Sequence, residues 1–266
     1  MVDLAVPGGR EKGDRRGLLA TAGAAVLILA AVGLAPNSAS RAATGTEPDS
    51  SPVYVGFLTT DENRCTATVV RPWMAVTAKH CGTQGLELKI GVTLASDSDP
   101  DKKYEVVKVV PHGTLDIEAL YLNRNRSAPW DEFVAWGDGS EYDPESGEPL
   151  QAWGFGADRN NVVNDSLIVA EFPKTIPCPS GLAGDQGDFC LEADSLNSLC
   201  VGDSGGPITQ GDNIVGIATA VKRKDPSAPF SCEDVVAVQA ISVPKIAGWL
   251  HDRSCEAAPP EQWPCG

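Results

Sequence analysis

The sequence predicts an all-β fold, and three observations point to it. A chain of 266 residues of which 42% are hydrophobic can bury two modest cores. Its 27 glycines and 20 prolines divide it into short segments, which favours strands and turns over long helices. Runs of β-branched or alternating apolar residues recur along the chain, as half-buried strands require. Two β-barrels fit a chain of this length.

Four segments predict strands because they are rich in Val, Ile, Thr and Tyr; they are residues 53–58, 65–70, 104–110 and 214–219. Residues 137–149, rich in Gly, Asp, Glu, Ser and Pro, are typical of a connection between two halves. Near the end of the chain, the apolar residues of 243–250 recur at spacings of three and four, which predicts an amphipathic helix ending near His251.

The first forty residues have the composition of an export signal. A charged stretch ending in Arg15-Arg16 precedes an uncharged run over 17–35, and Ser38-Ala39-Ser40 offers the small residues that a signal peptidase needs. We therefore expect a cleaved signal peptide and a secreted protein. Because about 18 apolar residues suffice to span a bilayer, an uncleaved anchor is the alternative, and only then would the protein contact a membrane. The arginine pair fits a twin-arginine signal or a plain basic region equally well.

Cysteine usage agrees with export. All eight cysteines lie after the apolar run, and an even number is typical of an oxidising compartment and four disulfides. Spacing alone leaves many pairings open. A zinc site is the competing interpretation, but the chain has no Cys-x-x-Cys pair and its histidines are dispersed, so we expect no metal site and no cofactor.

The charge excludes nucleic acid as a partner. The formal net charge is −15, and residues 1–40 contribute four basic and three acidic residues, so their removal leaves −16. A polyanion would be repelled, and the acidity serves solubility. Asp97, Asp99 and Asp101 alternate in one loop, but no closing carboxylate follows at calcium-loop spacing, which favours a solvated acidic loop.

Two distant motifs predict a nucleophile and its base. Gly202-Asp203-Ser204-Gly205-Gly206-Pro207 offers a serine, and Thr77-Ala78-Lys79-His80-Cys81 offers an imidazole. A serine hydroxyl is a poor nucleophile at neutral pH, so it needs a base to take its proton and N–H groups to hold an oxyanion. The flanking glycines allow a tight turn that directs the N–H groups of Gly202 and Ser204 into one oxyanion hole.

A carboxylate should orient the base and stabilise its imidazolium form, and Asp116, inside an apolar run, is the candidate. In the order His80, Asp116, Ser204 the chain resembles the chymotrypsin-like serine proteases over about residues 54–250. The resemblance rests on Thr-Ala-x-His-Cys, Asp-Ile-x-Ala-Leu and Gly-Asp-Ser-Gly-Gly-Pro. His112 lies where members of that family often carry a non-catalytic histidine and is given no role.

The resemblance implies two antiparallel β-barrels, a cleft between them and a C-terminal α-helix. The expected segments are a signal peptide at 1–40, a post-signal or activation segment at 41–52, an N-terminal barrel at 53–140, a C-terminal barrel at 141–241, the helix at 242–254 and a disulfide-closed tail at 255–266. The resemblance also implies pairs of cysteines: Cys65 with Cys81, Cys200 with Cys232 and Cys178 with Cys190. Cys255 and Cys265 remain for each other, without family precedent.

The specificity pocket follows from the same resemblance. The base of the pocket would be Ser198, so no carboxylate is present there to bind Arg or Lys. The walls of the pocket would be Val221 and Val238, whose side chains narrow it. The resemblance therefore implies cleavage after small or medium apolar residues, with a trypsin-like pocket completed by an Asp from another loop as the alternative. Thr219 and Ala220, with Val221, would pair with the substrate backbone as an added strand. The expected partners are protein or peptide substrates and protein inhibitors.

Many relatives are activated by cleavage after a basic residue, and the new terminal ammonium pairs with the Asp before the serine, here Asp203. Cleavage after Arg41 would supply an ammonium on Ala42, although Ala fills an apolar socket less completely than Ile, at about 0.8 kcal/mol per missing methylene. An unstructured linker is the alternative interpretation of this segment. The predicted function is a secreted serine endopeptidase; the alternative is a catalytically silent binding module on a protease scaffold.

Overall fold

The computed structural model describes residues 45–123, 147–158, 161–163, 165–180, 182, 189–194 and 196–258. Within these ranges the chain forms two seven-stranded sheets and one α-helix. The strands of the first sheet are β1 (Val55–Thr59), β2 (Arg64–Arg71), β3 (Met74–Thr77), β4 (Glu87–Ile90), β5 (Lys103–Tyr104), β6 (Val106–Pro111) and β7 (Glu118–Leu122). Those of the second are β8 (Leu150–Gly154), β9 (Ile168–Phe172), β10 (Thr175–Ile176), β11 (Phe189–Glu192), β12 (Pro207–Gln210), β13 (Asn213–Arg223) and β14 (Val235–Ser242).

Each sheet curls into a barrel. The first has the strand order β5-β4-β1-β2-β3-β7-β6 and the second β10-β11-β14-β13-β12-β8-β9, with antiparallel pairing throughout. In each sheet the two edge strands, β5 with β6 and β9 with β10, follow each other directly along the chain. Strands so close in sequence can stand at opposite ends of the order only if the edges curl toward each other. The predicted all-β fold of two antiparallel barrels is confirmed.

The strand predicted at 104–110 is interrupted at Glu105. Tyr104 pairs with Leu88 of β4, whereas Val106 pairs with Leu122 of β7, so the chain changes partner strands at this residue. The interruption is the point at which the first sheet closes. The other three predicted segments correspond to β1, β2 and β13, and β13 extends to Arg223.

The helix α1 (Val243–Ala257) packs on both sheets. Its buried residues Ile246, Leu250, Ser254 and Ala257 recur at spacings of three and four, as the predicted amphipathic pattern requires. The helix continues past the predicted boundary at 254, because Ser254 and Ala257 extend the buried stripe and Ser254 O accepts a hydrogen bond from Trp73 Nε1 at 3.2 Å. Cys255 therefore lies in the last turn of the helix and not in the tail.

Three predicted disulfides are confirmed: Cys65–Cys81, Cys178–Cys190 and Cys200–Cys232. Cys265 lies outside the described residues, so its pairing with Cys255 stays a prediction. The signal segment, Arg41, Ala42 and the boundary between the barrels at residue 140 also lie outside them. In the part of the chain that is described, no helix has the length and hydropathy needed to cross a membrane.

Candidate functional site

The backbone of His80 is held in place by a hydrogen-bonded turn and a disulfide. It lies in a single 3₁₀ turn, Lys79–Cys81, directly after β3, and Cys81 N–H closes this turn on Ala78 O at 3.0 Å. The disulfide from Cys81 to Cys65 fixes the turn to β2, and both half-cystines are buried in the core of the first barrel. The imidazole itself remains about half exposed, with a side-chain exposure of 48%.

The three predicted catalytic side chains form a continuous chain of hydrogen bonds. His80 Nδ1 lies 2.7 Å from Asp116 Oδ2, and His80 Nε2 lies 2.9 Å from Ser204 Oγ. Asp116 Oδ1 also accepts the backbone N–H of His80 at 3.0 Å. Because a carboxylate can only accept, Nδ1 carries the proton, which leaves the Nε2 lone pair to accept from the serine hydroxyl. This arrangement can move a proton from Ser204 to His80.

Asp116 is held in its ionised form. Burial alone would raise its pKa, but the hydrogen bonds from the His80 ring and backbone, together with the charges of His80 and Lys79, outweigh burial and leave the pKa below its usual value. A charged Asp116 can orient the imidazole and stabilise the imidazolium that proton transfer creates.

The backbone around Ser204 requires glycine. Gly202 has φ +103° and Gly205 has φ +85°, both in the left-handed region. A Cβ on Gly205 would in addition overlap Thr77 Oγ1 and Thr66 O. Any other residue would therefore be strained at either position, and at Gly205 a side chain would also displace the first barrel.

Hydrogen bonds from the first barrel hold the turn around Ser204 in place. Thr66 N–H donates to Ser204 O at 2.9 Å, and Thr66 Oγ1 donates to Gly202 O at 2.9 Å. Thr68 Oγ1 donates to Gly205 O at 2.8 Å. These three buried hydrogen bonds fix the position of the serine relative to β2, and through the Cys65–Cys81 disulfide relative to His80.

The N–H groups of Gly202 and Ser204, predicted as the oxyanion hole, line a cavity that also contains His80. Within the described backbone, neither group donates to another carbonyl, whereas the neighbouring N–H groups of Asp203 and Gly205 donate to Cys200 O and Ala218 O. The two groups are thus available to a developing oxyanion beside the serine.

Asp203 is buried next to the nucleophile with 1% exposure. Its Oδ1 accepts from Gly156 N at 2.7 Å and its Oδ2 from Cys200 N at 2.8 Å. A Cβ on Gly154 or Gly156 would overlap its carboxylate, so both glycines make room for it. Burial raises the pKa of Asp203 to about 7 despite these two hydrogen bonds. The predicted partner, an ammonium on Ala42, lies outside the described residues.

A cavity of about 290 Å³ opens beside Ser204. Val221 and Val238, the predicted walls, both line it and are cross-strand partners in β13 and β14. Ser198, the predicted base, is buried and donates to Leu199 O, and it is not among the lining residues. The described lining is mostly apolar, and its one carboxylate, that of Asp203, faces backbone N–H groups.

Sequence reasoning missed Phe230, which also lines this cavity. Its carbonyl accepts from Asn161 Nδ2 at 2.6 Å, and its ring lies under the Arg223 guanidinium at 5.2 Å. Phe230 comes from a loop without periodic pattern, so no sequence signal marked it. A second cavity, of about 470 Å³, shares Asn63, Arg64 and Val201 with the first and extends the cleft past the serine.

One edge of β13 is available beside the cavity. β12 pairs with β13 only as far as Ile217, and Ala218 bonds Gly205 and Gly206. Ala220 and Val221 pair with β14, on the other side of β13, and Thr219 lies at the bulge that precedes them. The predicted substrate-backbone residues thus lie on an edge that an extended peptide can join.

No cluster of three or more His, Cys, Asp or Glu side chains suited to a metal ion occurs among the residues that the structure covers. In the acidic loop, Asp97 Oδ1 and Asp99 Oδ1 accept backbone N–H groups, and Asp97 Oδ2 lies 3.0 Å from Lys102 Nζ. These carboxylates are engaged by the chain's own donors.

Comparison with known proteins relates the chain to one family. The family model described as Trypsin matches residues 43–237. A Bos taurus protein described as "probable inactive serine protease 58" is 31% identical over 78 residues, which are 28% of this chain. The matched part spans 32% of that relative's length. The crystal structure of the scabies mite inactivated protease paralogue S-I1 superposes with a TM-score of 0.59 at 20% identity, covering 80% of this chain and 99% of that one.

The structural likeness supports the two-barrel fold, and the family match spans both barrels, from before β1 into β14. Since that match includes well over half of the chain, the protein belongs to the trypsin family of serine proteases.

Proposed function

We propose that the protein is a serine endopeptidase that hydrolyses peptide bonds through an acyl-enzyme. The observation that carries the proposal is the unbroken hydrogen-bonded chain from Asp116 through His80 to Ser204. Ser204 Oγ attacks the scissile carbonyl carbon while its proton passes to His80 Nε2, and the carbonyl oxygen becomes an oxyanion held by the N–H groups of Gly202 and Ser204.

Collapse of this tetrahedral species breaks the C–N bond. The leaving amine takes the proton from His80 Nε2, and an ester remains on Ser204. A water molecule then gives a proton to His80 and attacks the ester, and His80 returns that proton to Ser204 Oγ as the acid leaves. The substrate backbone is held by the free edge of β13 at Thr219, Ala220 and Val221.

The experiment is hydrolysis of a peptide library by the mature protein, with Ser204→Ala as the matched control. We expect wild-type cleavage that the variant lacks, since the variant keeps the cleft but has no nucleophile. Cleavage that persists unchanged in Ser204→Ala would overturn the proposal.

We propose further that the pocket accepts small or medium apolar side chains at the residue before the cleaved bond. Val221 and Val238 are adjacent on paired strands and both line the cavity of about 290 Å³, where their branched side chains take up space that an aromatic ring would need. Preferred cleavage after Arg or Lys would contradict this specificity and favour the trypsin-like alternative.

Val221→Gly should open the pocket. Removing a wall side chain makes room for a ring, so we expect kcat/KM for a substrate with Phe before the cleaved bond to rise about tenfold relative to one with Ala. Val236→Gly is the matched control, because Val236 lies on β14 but is exposed. An unchanged Phe to Ala ratio in Val221→Gly would show that Val221 does not limit the pocket.

Cleavage after Arg41 is the proposed activation step. Residues 45–46 lie against the second barrel, where Thr46 exchanges two hydrogen bonds with Val169. Next to Val169, Ile168 pairs with Gly154, and Gly154 touches the Asp203 carboxylate. Three extended residues reach about 10 Å, so an ammonium on Ala42 could reach Asp203 from Gly45. The close approach of Gly45 to Val169 O and the two hydrogen bonds of Thr46 show that residues 45–46 are held against the second barrel, which favours the activation segment over an unstructured linker.

The alternative function is a catalytically silent binding module on the same scaffold. It is favoured by the names of the two similar proteins above, which are called inactive or inactivated. Against it stands the presence of all three side chains at hydrogen-bonding distance in this chain. The Ser204→Ala comparison separates the two functions, because a binding module would bind peptides without cleaving them.

We propose that the protein is exported and that residues 1–40 are removed. Three disulfides support an oxidising compartment. Its partners are then extracellular proteins or peptides that lie in the cleft as substrates or inhibitors, and its charge of −15 argues against nucleic acid.

A further inference from the structure

Glu118 is a buried carboxyl group that the proposed reaction does not use. It is the first residue of β7 and is 1% exposed. In a strand, alternate side chains share a face, so Glu118 lies on the same face as Leu120 and Leu122. Those two residues belong to the core of the first barrel. Glu118 therefore points into the barrel end that carries His80, two residues after Asp116.

One oxygen of the carboxyl group lacks a structural partner among the described residues. Its Oε1 is buried and accepts no hydrogen bond from them. Its neighbours across the sheet, Thr77 of β3 and Pro111 of β6, carry no charge. A buried polar atom without a partner costs stability, and such atoms call for a functional explanation.

The charged and titratable groups that act on Glu118 belong to the site. They are Asp116 from its own segment, with Lys79 and His80 from the turn after β3. Asp116 repels a negative Glu118, whereas Lys79 and a protonated His80 attract it. Geometry agrees, because Glu118 follows Asp116 by two positions and pairs with Thr77, three positions before His80. A second carboxyl group thus lies next to the Asp116–His80 pair.

We propose that Glu118 is a positioning residue for His80, whose ionised carboxylate stabilises the imidazolium that forms when Ser204 gives up its proton. The effect on catalysis rests on the proposed function, and the effect on the charge of His80 does not. Glu118 touches neither substrate nor the reacting atoms and acts only through the electrostatic field at the ring.

The raised pKa of Glu118 is consistent with this role. Burial and, next, the Asp116 charge raise the pKa of Glu118 to about 7, so its charge changes near neutral pH. Proton transfer from Ser204 places a positive charge on His80, which favours ionised Glu118 and offsets part of the repulsion from Asp116. Since a protonated His80 favours ionised Glu118, this support is lost only at a pH low enough to protonate Glu118 beside the imidazolium.

The first test is the pH profile of kcat/KM in Glu118→Gln, which removes the charge and keeps the size. Loss of a nearby negative charge makes His80 easier to deprotonate, so the acid limb should move down by about one pH unit. The limiting rate at pH 9 should fall about tenfold, because the imidazolium loses support. Glu118→Asp should restore both toward wild type, and Glu171→Gln, at an exposed glutamate of β9, should change neither.

A purely structural role gives a different result. If Glu118 only filled space, Glu118→Gln would lower the rate at every pH and leave the acid limb in place, which would overturn the proposal. Glu118→Met, equally neutral and of similar volume, replaces the glutamine variant if that one fails to fold, and the same shift is expected.

The second test does not need activity. An NMR titration of the His80 ring, assigned by comparison with His80→Ala, should show a midpoint about one pH unit lower in Glu118→Gln than in wild type. An unchanged midpoint would overturn the proposal. If the midpoint shifts but the wild type cleaves no peptide, the electrostatic coupling holds and the proposed function fails.

Discussion

Asp116→Asn should lower kcat/KM by about 10⁴-fold while the protein stays folded. An asparagine that donates its amide N–H to His80 Nδ1 selects the tautomer with the proton on Nε2, which then cannot accept from Ser204. Asparagine also lacks the charge that stabilises the imidazolium. The 2.7 Å contact between Nδ1 and Asp116 Oδ2 is the bond that enforces the productive tautomer.

Steady-state kinetics on the best library peptide measures this effect, and KM should change little because Asp116 lies behind the ring. Asp212→Asn, an equivalent change in the exposed turn between β12 and β13, is the matched control and should retain full activity. A loss of tenfold or less in Asp116→Asn would show that the carboxylate does not orient the base.

A chain that begins at Ala42 should be about 10² to 10³ times more active than one that retains residues before it. The new ammonium would pair with Asp203, whose backbone neighbours are Gly202 and Ser204, the residues of the proposed oxyanion hole. Without that cation, ionised Asp203 is a buried charge whose hydrogen bonds from the described residues come from Gly156 N–H and Cys200 N–H. In the unprocessed form we therefore expect the N–H groups of Gly202 and Ser204 to lose the arrangement that binds the oxyanion.

The free energy of unfolding at pH 8 should also be higher for the Ala42 form than for the unprocessed form. In the unprocessed form the pKa of Asp203 is raised to about 7. Its contribution is therefore fully present below the ordinary carboxyl pKa and is lost as pH rises through about 7. Pairing with an ammonium lowers this pKa, so the Ala42 form should keep more of its free energy of unfolding at pH 8. Glu118 contributes with the same sign, so both forms are compared in the Glu118→Gln background.

Urea unfolding at pH 5 and pH 8, with kcat/KM at pH 8, measures both effects. Arg41→Gln, which removes the basic cleavage site, provides the control that stays unprocessed. Equal activity and equal pH dependence in the two forms would contradict the ammonium pairing.

The sequence was sufficient to predict the features that local chemistry encodes. His80, Asp116 and Ser204 stand in short motifs whose glycines and neighbours are needed within a few residues of the functional group, and the structure brings their side chains within 2.9 Å of one another in series. Three disulfides followed from resemblance, and the helix from its periodicity. The three motifs and the helix are recognisable because each is specified within one short segment.

Features that depend on distant parts of the chain were not predictable. The clamp from Thr66 and Thr68 joins residues separated by 136 and 137 positions. The interruption at Glu105 reflects closure of a sheet, which no single segment specifies. Glu118 lies in the apolar run from which only Asp116 was identified, and its burial beside the site follows from strand pairing. Phe230 reaches the pocket through a loop whose course is fixed by long-range contacts with Asn161.

The most direct measurement is the intact mass of the mature protein after exposure to a fluorophosphonate, which reacts only with an activated serine. We expect a single adduct on Ser204, absent in Ser204→Ala and formed far more slowly in His80→Ala. No adduct on the Ala42 form, or equal labelling of Ser204→Ala, would contradict it.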